Sequence, residues 1–214
     1  MSFQMSFQMS FSVFFVDFGV FAFMGCVWSE AGLKRVFFPV ETESLARQEI
    51  MARFPCAVEN QFPEAWFKPL NEIFQGEGVF IGSRDSALDR YFTNSRVQSP
   101  RPTSRRQSLA SLSIDFAELP SFHRRVYSQA LEIPYGHCVS YSDLAKQLES
   151  PKAARAVGQA MSRNPLALLV PCHRVIASGG KIGGFTAPGG LALKSHLLAR
   201  IGIVPFAAAS VSNS

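Results

Sequence analysis

From Phe11 to Trp28 the chain is apolar apart from Asp17. A membrane helix and a pair of strands both fit such a run. No Lys or Arg precedes Lys34, so the basic flank of a secretory signal is missing, and Asp17 would sit mid-span at a cost of roughly 2.5–3.5 kcal/mol. The abundance of Phe and Val favours two strands, residues 13–17 and 20–28, turning near Gly19. In WSEAGLKRVFFP, Ala31-Gly32 marks a turn into another apolar strand. Residues 43–54 predict a helix, with Leu45, Ile50 and Met51 spaced to face a core. Residues 60–80 are mixed, and Trp66, Phe67 and Leu70 read as packing.

The pattern then stops. Residues 83–112 hold Arg101, Arg105 and Arg106 among prolines and serines with few apolar anchors, which reads as a linker or solvated insert. Order returns near Ser140, where S-Y-S-D forms a capping box and Leu144, Ala145 and Leu148 share one helix face. A second helix is expected to open at Ser150-Pro151, Ser as cap and Pro at its first position, and to run to Met161. Two short helices joined by a tight turn predict a helix-turn-helix. Ala153, Ala154, Ala156, Gly158 and Ala160 make the second helix slim, so it could enter a groove or press on its own core. After Asn164-Pro165, the apolar residues 166–170 predict a strand running into Pro-Cys-His-Arg.

Composition narrows the function. A chain of 214 residues, 47% hydrophobic and 17% charged, can bury one core or two small ones. Its net charge of +5 favours a polyanionic partner, because Lys and Arg that neutralise phosphates release counterions. Cys26, Cys56, Cys138 and Cys172 show neither a C-x-x-C pair nor a cluster with histidines, so no zinc site or disulfide framework is signalled. Cys172 beside His173 fits nucleophilic catalysis, since the thiolate is the reactive species and a free thiol is only a few per cent ionised at neutral pH. A buried structural cysteine is the alternative.

The segments YGHCVSYSDLA, SPKAARAVGQAMSRNP, VPCHRV, GGF and GGLALKSHLL together resemble the methylated-DNA–protein-cysteine methyltransferases, the O6-alkylguanine-DNA alkyltransferases. WSEAGLKRVFFP and IDFAELPSFHRRVY are similar to that family too, so the resemblance covers most of residues 18–202. It implies an α/β plus α fold: an N-terminal α/β (ribonuclease H-like) domain over 13–82 and a C-terminal winged-helix or helix-turn-helix-like domain over 113–206. Residues 1–12 and 207–214 are expected to be disordered. The implied partner is double-stranded DNA containing O6-alkylguanine, bound by a monomer without a membrane, in the cytoplasm and nucleoid of a bacterium or the nucleus of a eukaryote. The implied activity is DNA repair, in which Cys172 takes the alkyl group of a flipped base irreversibly, once per molecule. No metal or organic cofactor is called for, because the protein is itself the acceptor.

The resemblance also assigns roles. Arg155 matches the finger that fills the vacated stack, and Ala154, Gly158 and Ser140 lie at the DNA surface beside it. Tyr141 matches the tyrosine that turns the phosphate and donates to the guanine ring. Asn164 braces the turn of the active site, His173 relays the thiol proton through water, and Arg174 is structural. Val175, Phe185 and Thr186 line the base pocket, with the carbonyls of Cys172 and Val175 accepting from the guanine amino group. There are two departures. Ile201 stands where the family has the glutamate that orients and charges the histidine, and FTAPGG after Gly184 replaces a shorter loop. Three functions therefore remain in play: an active alkyltransferase, a lesion-binding protein whose transfer is impaired at Ile201, and an unrelated thiol hydrolase. The last lacks any sign of an oxyanion hole. Non-transferring damage sensors lack the cysteine that this chain keeps.

Overall fold

The computed structural model describes residues 8–17, 21–76, 80–82 and 108–204, which fall into two compact units divided between Ala117 and Glu118. It is mixed α and β throughout. Residues 1–7 of the stretch expected to be disordered, the turn near Gly19, the basic triplet of the insert and the tail at 207–214 lie outside the described residues.

In the first unit, β1 (Ser10–Asp17) and β2 (Phe21–Ser29) pair antiparallel, and β3 (Gly32–Val36) pairs antiparallel with β2. The apolar run is thus a pair of strands, not a membrane span, and no described helix is long and apolar enough to cross a bilayer. Pairing starts at Ser10, inside the stretch expected to be disordered, because Ser10 and Phe11 sit opposite Trp28 and Val27. β4 (Val58–Glu59) adds parallel to β1, and β5 (Phe80–Gly82) pairs antiparallel with β1 further along the strand. Alternation along β1 divides the faces. Phe11 and Val27 pack with Phe37, Ile50 and Ala57 on one side. On the other, the rings of Phe14 and Trp28 each meet Phe62 edge-on at 5.1 Å.

Two helices complete this unit, α1 (Glu43–Arg53), capped by Thr42, and α2 (Glu64–Gly76). On α1 it is Ala46 and Ile50, one turn apart, that are buried, whereas Leu45 and Met51 are exposed. The expected stripe is therefore corrected: residues flanking an i, i+4 pair point to its sides. Gly25 lets α1 approach, since a Cβ there would come within 2.5 Å of the Ile50 side chain. The expected boundary near 113 also moves. Residues 108–115 close the edge of the unit, with Leu33 N donating to Ser113 O at 2.8 Å, Asp115 N to Leu33 O at 3.0 Å, and Lys34 paired to Asp115 at 3.0 Å. An edge strand leaves unpaired backbone groups, and this segment pairs both of those on Leu33.

The second unit holds α3 (Ser121–Leu131), α4 (Tyr141–Gln147), α5 (Ala154–Ser162) and α6 (Gly190–Arg200), with a small parallel pair, β6 (Val139–Ser140) and β7 (Val175–Ile176). Leu144 and Ala145 of α4 and Val157, Ala160 and Met161 of α5 are buried, and the Tyr127 hydroxyl on α3 donates to Ala160 O at 2.8 Å. The start of α5 is corrected. Ser150-Pro151 belongs to the preceding turn, closed by Ala153 N donating to Ser150 O at 2.8 Å, and Ala153 occupies the cap position. Residues 166–170 are not a strand either. They are buried turns, with Leu168 at φ 64°, a conformation that an L side chain adopts only when its surroundings enforce it.

Candidate active site

Asn164 enforces that turn. Its side-chain amide donates to Val170 O at 2.9 Å and Leu166 O at 3.3 Å, while its carbonyl accepts from Leu166 N at 2.9 Å. One side chain thereby replaces the partners a strand would have supplied, and buried backbone groups stay paired without a sheet. The folded-back segment delivers Cys172 to the start of a single 3-10 turn, Cys172–Arg174. Cys172 is 5% exposed, and His173 and Arg174 are wholly buried. Arg174 is structural as expected: its guanidinium donates to Ile133 O at 3.1 Å and lies 5.6 Å from the centre of the Tyr135 ring.

Burial pushes the Cys172 thiol up. A hydrogen bond from the Asn164 side chain, the charge of Lys194 and the backbone amides of Cys172 and His173 pull the other way. Thiolate formation is thus resisted by desolvation and assisted by donors already in place.

Tyr141 opens α4, where Ser140 caps the helix by accepting from Asp143 N at 3.0 Å and donating to the Asp143 carboxylate at 2.7 Å. The Tyr141 hydroxyl donates to Gly184 O at 3.3 Å. Burial first, and the nearby Cys172 second, raise its phenol above the ordinary value. Its ring is hemmed in by Gly183: with φ at 72°, a Cβ there would sit 3.1 Å from the ring. Phe185 is half-buried beside this loop, and the exposed Thr186 donates to Ser162 O at 3.1 Å at the end of α5. The two carbonyls expected to meet the guanine amino group already accept one hydrogen bond each, Cys172 O from Val175 N and Val175 O from Lys194 Nζ. Each keeps a second lone pair for a ligand.

On α5, Val157, Ala160 and Met161 turn inward. Arg155 is exposed, and Ala154, Ala156 and Gly158 are half-buried. Of the small residues of α5, Ala160 presses on the core. Ile201 caps the C-terminus of α6 and is buried, followed by Gly202 at φ 78°.

Two residues of the site were not anticipated. Lys194 on α6 is fully buried, donating to Val175 O at 2.7 Å and Gly184 O at 3.2 Å with its ammonium 5.7 and 5.8 Å from the ring centres of Tyr141 and Phe185. Cys138, half-buried before β6, is within electrostatic reach of Lys194 and Arg174. A lysine in a helix ordinarily reads as solvent-facing. The spacing of 194, 197, 198 and 201 was nevertheless that of a buried stripe.

This assembly can be set beside known proteins. Residues 121–203 match the family described as "6-O-methylguanine DNA methyltransferase, DNA binding domain". That match lies within the C-terminal unit. A methylated-DNA–protein-cysteine methyltransferase of Methanosarcina acetivorans is 45% identical over 91 residues, 42% of this chain and 57% of that protein. One from Cricetulus griseus is 51% identical over 84 residues, 39% of this chain and 40% of that protein. The matched stretch thus spans about half the length of the curated relatives. Mycobacterium tuberculosis OGT, solved in complex with DNA, is similar over 86% of this chain and 89% of its own, with 26% identity and a TM-score of 0.52. The O6-methylguanine-DNA methyltransferase of Pyrococcus kodakaraensis shares the fold over 92% of this chain and the whole of its own, at 22% identity and a TM-score of 0.53.

Proposed function

We propose that the protein repairs DNA by direct, stoichiometric and irreversible transfer of an alkyl group from O6-alkylguanine in double-stranded DNA to Cys172. The observation that carries this reading is the placement of Cys172 on an Asn164-braced turn beside Tyr141, inside the domain matched by the methyltransferase family. The Cys172 sulfur attacks the alkyl carbon, a C–S bond forms and the C–O6 bond breaks. The electron pair leaves with guanine, which takes a proton at a ring nitrogen from the Tyr141 hydroxyl once that hydroxyl leaves Gly184 O. Cys172 surrenders its proton through His173. Nothing in the chain reverses a thioether, so each molecule acts once.

In this reading α4 and α5 form the helix-turn-helix of a winged-helix-like domain, with Arg155 as the wedge and Ala154, Gly158 and Ser140 against the backbone. Val175, Phe185 and Thr186 border the base. The order β3-β2-β1-β4, antiparallel except for β4, supports a ribonuclease H-like N-terminal unit. The protein acts as a monomer.

The test is intact-mass measurement after mixing with duplex DNA bearing O6-methylguanine. One methyl per molecule is expected on Cys172, and Cys172→Ala should abolish transfer while leaving DNA binding largely intact. Transfer that survives Cys172→Ala would show the assignment to be wrong. A second reading is favoured by one observation, the buried apolar Ile201 in place of a carboxylate. It makes the protein a binder that flips the lesion and transfers poorly, and it would show as tight lesion binding without a mass gain.

A further inference from the structure

A helix leaves its last four carbonyls without intrahelical partners. At the end of α5 each of the four is met. Gln159 O accepts from the Ser162 hydroxyl at 2.8 Å, Ala160 O from Arg163 N at 3.0 Å and the Tyr127 hydroxyl at 2.8 Å, and Met161 O from Asn164 N at 3.3 Å. The last, Ser162 O, takes its bond from the Thr186 hydroxyl at 3.1 Å, 24 residues further along the chain. A hydroxyl has one proton to give, so Thr186 commits its own to the helix. Two residues beyond Ser162 stands Asn164, which braces the turn that delivers Cys172. The segment before Thr186 is fixed as well, since Gly184 O accepts from Tyr141 on α4 at 3.3 Å and from Lys194 on α6 at 3.2 Å. Phe185 lies between these two fixed points. The C-terminus of α5 is therefore a junction: the turn bearing the thiol leaves from it, and the loop beside Tyr141 is tied to it.

We propose that Thr186 is a positioning residue that clasps the loop over residues 184–189 to the end of α5, so that the helix carrying Arg155 and the wall of the base pocket move together. The proposal rests on the alkyl-transfer reading of this pocket. In that reading α5 meets the duplex while the loop meets the base turned out of it, and transfer needs the reacting atoms held in line at close range. A loop tied to the helix is placed by the same contact that places the DNA. Without the tie, a bound duplex fixes α5 and leaves the loop to find the base by itself. The hydroxyl belongs to FTAPGG, the stretch in which this chain departs from the shorter loop of the family it resembles. The bond is neutral and lies at the surface, so its effect is that of one ordinary hydrogen bond, about fivefold in an equilibrium.

The experiment uses the full chain and follows amide hydrogen exchange, by mass, in the peptide holding residues 184–189. Wild type, Thr186→Val and Thr186→Ser are each compared with and without a saturating undamaged duplex. Valine keeps the branched shape and removes the hydroxyl, whereas serine keeps the hydroxyl. Comparing each protein with itself cancels differences in intrinsic exchange. The duplex should slow exchange of the loop by about fivefold in wild type and Thr186→Ser, and should leave it nearly unslowed in Thr186→Val. Single-turnover transfer is measured alongside on duplex O6-methylguanine and on free O6-benzylguanine. The ratio of the two rates should fall by about fivefold in Thr186→Val and return in Thr186→Ser. A loop that the duplex does not slow in wild type, or slows equally in Thr186→Val, overturns the proposal, and so does an unchanged rate ratio. If wild type takes an alkyl group from neither substrate, the transfer reading fails, while the exchange comparison still decides whether loop and helix are clasped.

Discussion

At Ile201 an apolar side chain closes α6 where the resemblance places the carboxylate of a histidine relay. A carboxylate at that place would favour the cationic form of the histidine and so help it take the thiol proton. The Cys172 thiol is already held up by burial, so its thiolate is the minority form at neutral pH and grows as pH rises. Single-turnover rates of the wild type are expected to climb from pH 6 to 9. Ile201→Glu should flatten that rise and raise the rate at pH 7 by roughly ten- to a thousandfold, within the scale of positioned acid–base assistance. Superimposable profiles for the two proteins would remove Ile201 from the mechanism. Cys26 makes a different prediction. Complete burial alone drives its thiol far up, and no charge or donor compensates. A folded value raised above the unfolded value of about 8.5 gives stability that is fully present below pH 8.5 and lost above it, by about 1.4 kcal/mol per pH unit. Urea denaturation between pH 8 and 10 should show a shallower alkaline decline in Cys26→Ala, and an unaltered slope would mean that the thiol ionises freely in the fold.

Among the elements, α5 has unequal faces. Val157, Ala160 and Met161 fix it to the core, while Arg155 projects from the side lined by half-buried Ala154, Ala156 and Gly158. Small side chains let a helix come close to a partner backbone, and a long cation on that side can reach into a stack. Flipping a base costs a few kcal/mol, and a wedge offsets that cost only in a duplex. Arg155→Ala is therefore expected to slow repair of duplex O6-methylguanine by on the order of ten- to a hundredfold. Reaction with free O6-benzylguanine should be nearly unchanged, and equal losses on the two substrates would refute the wedge role. The segment over residues 166–170 works the other way. Three hydrogen bonds from Asn164 hold a segment that its apolar composition alone would make a strand.

For the whole molecule, the excess of five positive charges bears on affinity for a polyanion such as the proposed DNA more than on fold. Contacts to phosphates release counterions and carry no sequence information. Binding to undamaged duplexes should thus be nearly indifferent to sequence. If about four phosphates are neutralised, affinity should fall by roughly a hundredfold between 50 and 200 mM salt. Fluorescence anisotropy across that range tests it, and a flat response would argue against DNA as the partner.

How far the sequence reached follows from which interactions are local. The turn at Ala31-Gly32, the strands around it and the Ser140 cap were legible, since they depend on neighbours along the chain and on period-2 or period-3.6 patterning. Cys172, Tyr141, Asn164 and Arg155 could be singled out from motif resemblance, and the structure brings the first three close together with Arg155 exposed on α5. Other features were decided only in three dimensions. Residues 166–170 became turns because Asn164, outside that run, satisfies their backbone. Residues 108–115 joined the first unit because the edge of β3 needed partners. Lys194 was hidden for the same reason. A cation in a helix is ordinarily solvated, and only two carbonyls from separate segments, together with the rings of Tyr141 and Phe185, make its burial tolerable. The sequence by itself determined most local elements and the candidate thiol, because these depend on chain neighbours and residue chemistry. The tertiary structure decided which charge stands beside that thiol, because desolvation and long-range pairing exist only once the chain has closed on itself.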